Sequence, residues 1–189
     1  MNRYDKTTKI QKFKLLLKTL AAAFGFLSVL VAPTFYSPKA AADAINNTDF
    51  VFTVDTRKPG SPNTQFVIPT SGSGYNYTVD YNNDGVTEVS GQTASYTFNY
   101  ATPGIYTIRI GGVFPWFIVN GSGDKMKLLS VDQWGTNKWK NMRSAFAGTE
   151  NMYIKATDTP DLSQTTYLSW MFVGNKSLKG EGTNWNWNT

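Results

Sequence analysis

The sequence predicts a mainly β fold with short helices: an immunoglobulin-type β-sandwich followed by the start of a solenoid built from stacked repeats. Three observations lead there. Apolar residues alternate through several short runs between residues 45 and 119, each bounded by turn-forming residues. From Gly123 onward the chain resembles itself when slid by 26 positions. Aromatic residues are abundant at 15% and charged residues scarce at 16%, a balance suited to an extracellular β-rich protein. With 189 residues and 41% apolar content there is material for one or two packed domains.

Residues 1–44 read as an export signal. The stretch from Met1 to Lys18 is basic, Thr19 to Ala32 is an apolar run, and Pro33 stops it. Ala42-Asp43-Ala44 offers a small-x-small cleavage site that would leave Ile45 as the mature N-terminus. The competing reading is an uncleaved membrane anchor, but fourteen helical residues reach only about 21 Å against a hydrocarbon core of about 30 Å, so a stable span would have to draw in Lys18 and Leu15 to Leu17; with the signal removed, no stable membrane span is expected. The net charge of +5 belongs to this segment, because beyond Ala44 there are 11 basic and 11 acidic residues. A neutral mature chain gives no electrostatic case for nucleic acid.

Residues 45–120 carry the strand pattern. Phe50, Phe52 and Val54 are expected to share a face, as are Tyr75, Tyr77 and Val79, then Tyr96, Phe98 and Tyr100, then Tyr106, Ile108 and Ile110. Between them, Lys58-Pro-Gly-Ser-Pro62, Ser71-Gly-Ser-Gly74, Asn82-Asn-Asp-Gly85 and Thr102-Pro-Gly104 are turn chemistry, the last suited to type II. Phe114 to Asn120 reads as one more strand, and Gly121-Ser-Gly123 as a short, stiff passage to the repeats.

Residues 121–189 are the repeat region. The slide places Met126 on Met152, Leu128 on Ile154, Asp132 on Asp158, Met142 on Leu168, Phe146 on Phe172 and Gly148 on Gly174, with a third copy opening at Lys176 and incomplete at Thr189. In each copy an alternating extended piece precedes a segment of helical spacing (Trp139, Met142, Phe146, then Leu168, Met171, Phe172) that ends at glycine. A strand, a turn and a short helix cannot bury their own apolar face, and stacking on the next copy supplies the cover.

The runs Leu129-Ser-Val-Asp-Gln-Trp-Gly-Thr-Asn-Lys-Trp-Lys-Asn-Met142, Ser144-Ala-Phe-Ala-Gly148, Asp161-Leu-Ser163 and Leu168-Ser-Trp-Met-Phe-Val-Gly174 resemble the BspA-like leucine-rich-repeat surface proteins of bacteria. Tyr96 to Ile108 resembles the end of a PKD-like domain, a common companion of such repeats, although the usual Trp-Gly-Asp-Gly turn is altered to Asp80-Tyr-Asn-Asn-Asp-Gly85. The resemblance implies a leucine-rich-repeat-like solenoid behind a PKD-like sandwich, and an adhesive protein that is secreted or held at the bacterial cell surface.

Absence of cysteine and histidine removes disulfides, the usual zinc sites and Ser-His-Asp or Cys-His machinery, so no enzyme and no cofactor are expected. Asp80, Asn82, Asp84 and Gly85 match the first half of a calcium loop. The twelfth position is Gly91 instead of the bidentate Glu, with only Glu88 near, and a hairpin turn explains the same residues without an ion. Asp132 and Asp158, stacked by the slide, read as turn caps. Trp134, Trp139, Trp170, Trp185 and Trp187 raise carbohydrate stacking, against core packing for Trp139 in particular. The candidate binding surface is the outward strand face, where Lys127, Leu129, Tyr153, Lys155 and Lys179 would stand opposite the core residues and suit an extracellular acidic protein or glycan. The alternatives are a surface spacer without its own ligand and an accessory module of a carbohydrate-active enzyme.

Overall fold

β1 (Phe50–Asp55) sits at the centre of the main sheet, and its sequence explains why: Phe50, Phe52 and Val54 face one side, Val51, Thr53 and Asp55 the other, and all six are buried. The computed structural model describes residues 47–178, all within one compact unit. The predicted export segment with its cleavage site, Lys179, Trp185 and Trp187 lie outside them. β2 (Gln65–Ile68), β3 (Asn76–Asp80), β4 (Val89–Gln92), β5 (Tyr96–Asn99), β6 (Ile105–Val113), β7 (Leu128–Gln133) and β8 (Tyr153–Ile154) complete the set. Six strands form one sheet in the order β4-β3-β6-β1-β7-β8, and β2 pairs with β5 in a second. Every pairing is antiparallel except β7 with β8, which makes the main sheet mixed.

The two sheets pack face to face as a sandwich. Phe66 of β2 lies 5.8 Å from Phe52 and 6.0 Å from Phe98 by ring centroids, closing the aromatic middle. The same core runs on through Phe114, Phe117, Trp134, Trp139, Met142 and Phe146. Phe50 meets Trp139 edge-on at 4.9 Å, the arrangement that sets a ring's positive edge against a negative face. No gap separates cores at the expected 120/121 boundary: β7, from beyond it, is a direct neighbour of β1.

Several sequence-based expectations need correction. Phe114 to Asn120 is not a strand; Pro115 lacks an N–H, and its carbonyl accepts instead from Lys140 and Asn141 N–H. Gly104 does not adopt the left-handed φ of a type II turn; its N–H donates to Thr56 Oγ1 at 2.9 Å. The short helices are absent among the described residues. Residues 142–148 and 168–174 are instead two parallel rungs. The N–H groups of Met142, Ser144, Phe146 and Gly148 donate sideways to the carbonyls of Tyr167, Ser169, Met171 and Val173, at 2.7 to 3.0 Å. The intervening N–H groups close tight turns, Ala145 to Met142, Ala147 to Ser144 and Thr149 to Phe146. Apolar residues three and four apart thus arise from successive three-residue turns, which imitate helical spacing.

The slide of 26 holds in these rungs and fails in the strands. Ser144 and Trp170 both take left-handed φ (52° and 61°), as do Gly148 and Gly174 (73° and 72°). Phe117, Phe146 and Phe172 form a column with 5.5 Å between successive rings. In the sheet, however, Ser130 pairs with Tyr153 and Val131 with Ile154, an offset of 23, and Lys138 bridges Asp161 at the same offset. Three additional residues ahead of Val131 in the first copy are balanced by Leu162-Ser163-Gln164 in the second. Leu128 therefore lies beside Val54, not Ile154, and Asp132 is not the counterpart of Asp158.

Candidate functional site

Strand alternation puts one face of the main sheet into the core and leaves the other as a polar floor. Thr53 of β1 pairs with Thr107 of β6 and with Ser130 of β7; Val51 pairs with Arg109 and Gln133; Arg109 in turn pairs with Asp80 of β3. Directly paired residues share a face. Together with the turn after β3 and the residues after β8, all of these but the buried Ser130 line an open groove of about 930 Å³. Asp49, Asp80, Asp84 and Asp132 supply four carboxylates, Arg109 and Lys155 two cations, and Val51 is the one aliphatic residue among those lining it.

Two register shifts in β7 against β1 shape this floor. At each, one residue of β7 lacks a partner, Leu129 at the first and Asp132 at the second. Such bulges twist a strand and re-aim a side chain. Asp132 accepts from Thr53 Oγ1 at 2.5 Å and from Ser130 Oγ at 2.8 Å, with Lys155 Nζ at 3.6 Å. Lys155 also lies over the Tyr153 ring, 5.3 Å from its centroid. Burial pulls the Lys155 ammonium down, but the Tyr153 hydroxyl and the Asp132 carboxylate outweigh it and hold it above its usual value. Arg109 donates through Nε to Asn83 Oδ1, while Nη1 sits 3.9 Å from Asp49, buried and without a hydrogen bond.

Of the residues expected on the binding face, Tyr153 and Lys155 are there, exposed at the rim on the side that Ser130 faces. Leu129 is half-buried at its bulge. Lys127 is a correction: it is fully buried. It precedes β7 in the turn closed by Lys127 N–H to the Asp124 carbonyl, so strand alternation does not govern it. Its ammonium donates to the carbonyls of Ser61, Pro62 and Gln65 and to Ser61 Oγ, at 2.7 to 3.0 Å, with Asp124 at 3.6 Å. Burial pulls this lysine below its usual pKa and Asp124 opposes the shift. Asp124 meanwhile accepts from Ser61 N–H and Oγ–H and from Val67 N–H, so the pair locks the 58–65 loop to the start of β7.

The turn after β3 behaves as hairpin chemistry predicts. Asp80 accepts from the N–H groups of Asn82, Asn83 and Gly85, and Asp84 from that of Val86. The fold also brings Glu88 to this turn, where it accepts from Tyr81 N–H; oxygens of Asp80, Asp84 and Glu88 fall within 4.8 Å of one another. Each of these carboxylates already holds a backbone N–H, so turn formation accounts for the cluster. Asp158 caps as expected, accepting from Trp134 and Gly135 N–H.

Among the tryptophans, Trp134 and Trp139 are core, and Trp170 is 63% exposed with the Arg143 guanidinium 5.4 Å from its ring centroid. Arg109, Thr53 and Thr107 were legible only as polar positions inside strands, and nothing in the sequence said which of the two sheet faces would stay open. Comparison of the chain with protein-family models, with curated proteins and with solved structures found no match.

Proposed function

We propose that the chain is an exported bacterial cell-surface protein that binds a macromolecular partner along the polar groove of its main sheet. The groove carries the proposal: it is a wide, open concavity floored by strands of the main sheet. In this reading the sandwich is a PKD-like domain and the rungs begin a leucine-rich-repeat-like solenoid of the BspA-like kind. The paired left-handed residues 26 apart and the phenylalanine column support the latter. A spacer without its own ligand is the second reading, favoured by the fact that both groove cations already have acidic neighbours.

Binding of the purified chain to an array of glycans and matrix proteins tests the proposal. Tyr153→Ser with Lys155→Ser should abolish capture of whatever ligand is found, with little change in melting temperature. Lys127 does not belong in that variant, since its side chain never reaches solvent. Capture that survives the double change would place the site elsewhere. For export, the expected mature N-terminus is Ile45 or Asp43, read by N-terminal sequencing of secreted material; an intact Met1 in the membrane fraction would overturn the cleaved-signal reading.

A further inference from the structure

We infer that the ligand of the groove is a neutral, polyhydroxylated chain, a polysaccharide without net charge. The inference rests on the proposal that the groove is the binding surface and adds the chemistry of what fits it. The floor sets a guanidinium beside surplus acceptors. Arg109 lines the groove with its side chain 18% exposed; its Nη1 is buried beneath, 3.9 Å from Asp49, so a ligand meets the remainder of the guanidinium. Around it, Asp132 uses only part of its capacity: an ionised carboxylate offers about four lone-pair sites, and two hydroxyls and one ammonium approach it.

Each charged class of ligand satisfies one half of this floor and offends the other. An anionic chain would serve Arg109 but meet four carboxylates against two cations. A cationic chain would suit the carboxylates while bringing like charge to a guanidinium that is only 18% exposed. A peptide that anchors through apolar side chains finds on the floor only Val51, which is 5% exposed. A sugar hydroxyl donates and accepts through the same atom, so one ring can give Arg109 an acceptor and Asp132 a donor. The rim supplies the complementary apolar contact. Tyr153 is 44% exposed, and the part of its ring that Lys155 leaves uncovered offers an aromatic surface to a pyranose.

The test is titration calorimetry of the full chain with three soluble sets: neutral gluco- and manno-oligosaccharides, chitosan oligosaccharides and heparin oligosaccharides. Binding is expected for a member of the neutral set, and it should change little from about 50 to about 500 mM salt because no ion pair forms. Arg109→Gln and, separately, Tyr153→Ser should each weaken it by about tenfold, equivalent to about 1.4 kcal/mol. Trp170→Ser should leave it unchanged. Should Arg109→Gln lower the melting temperature, Thr107→Val, which removes one floor hydroxyl, stands in for it. Salt-sensitive binding of heparin or chitosan that the groove variants abolish would keep the groove as the binding surface and overturn the neutral-sugar inference. Binding of neutral sugar that vanishes in Trp170→Ser but persists in the groove variants would overturn both. No response of any ligand to the groove variants would remove the groove itself.

Discussion

Lys127 is the residue whose role changes most between sequence and structure. As part of an alternating strand it would be an exposed cation; as the last residue of a turn it is a buried one with four oxygen acceptors and Asp124 beside it. Asp124→Ala leaves that cation without its counter-charge and strands the Ser61 and Val67 N–H groups, so a loss of about 3–5 kcal/mol is expected in urea unfolding. Adding Lys127→Met should cost much less than a second independent loss, because both changes act on one network. Asp55 gives a pH-dependent counterpart. The Arg57 guanidinium, hydrogen-bonded at 2.7 Å, holds the Asp55 carboxyl below its ordinary value of 3.8, against the opposing effect of burial. A carboxyl lowered in the folded state contributes stability that is complete above its unfolded pKa and is lost as pH falls through the folded one. Asp55→Asn should therefore flatten the stability curve below about pH 4, by about 1 kcal/mol or less given the exposure of Arg57.

At the scale of elements, the decisive feature is that the segments ending at Gly148 and Gly174 are rungs and not helices. Helix formation would have required left-handed Ser144 and Trp170 to adopt negative φ, and their neighbours to give up the sideways bonds. Hydrogen exchange separates the two pictures residue by residue. The N–H groups of Met142, Ser144, Phe146 and Gly148 should exchange slowly. Those of Leu168, Trp170 and Gly174, their equivalents one rung on, make no hydrogen bond within the described structure and should exchange fast. Equal protection in both rungs would contradict this arrangement. Gly135 fixes the turn after β7: it has φ of 68°, and a Cβ there would run into the carbonyl oxygens of Thr48 and Asp49. Gly135→Ala should cost about 2 kcal/mol or more, since strain in φ adds to a clash with backbone that has little room to move.

On the scale of the whole molecule, the sandwich and the rungs share one core, with Phe50 and Phe117 reaching both the strands and the rung aromatics. The two parts should therefore unfold in one transition; two separated transitions in calorimetry would show that the shared core is weaker than its aromatic contacts suggest. The turn after β3 is a second whole-molecule question, because β4, which follows it, is an edge of the main sheet. With Asp80, Asp84 and Glu88 each holding backbone N–H groups, added calcium should leave the melting temperature unchanged. A rise of several degrees that disappears in Asp84→Ala would show a bound ion instead.

The sequence by itself determined the mainly β class and the faces of β1, β3, β5 and β6, because strand alternation is a local property written at every second residue. It also determined the 26-residue spacing of the rungs, since Phe146 with Phe172 and Gly148 with Gly174 keep it. Only the tertiary structure decided the rest. The offset of 23 between β7 and β8 depends on two compensating insertions, which a single slide averages away. Helical spacing at residues 139–146 and 168–172 was ambiguous because tight turns and helices both bring residues three and four apart to one side, and sideways hydrogen bonds to a partner rung chose between them. Lys127 turned inward because the 58–65 loop, far away in sequence, brought a set of carbonyl oxygens to it. The groove itself is a product of strand order: Thr53, Arg109 and Asp132 come from three different strands, each more than twenty positions from the next, and nothing short of the assembled sheet places them on one face.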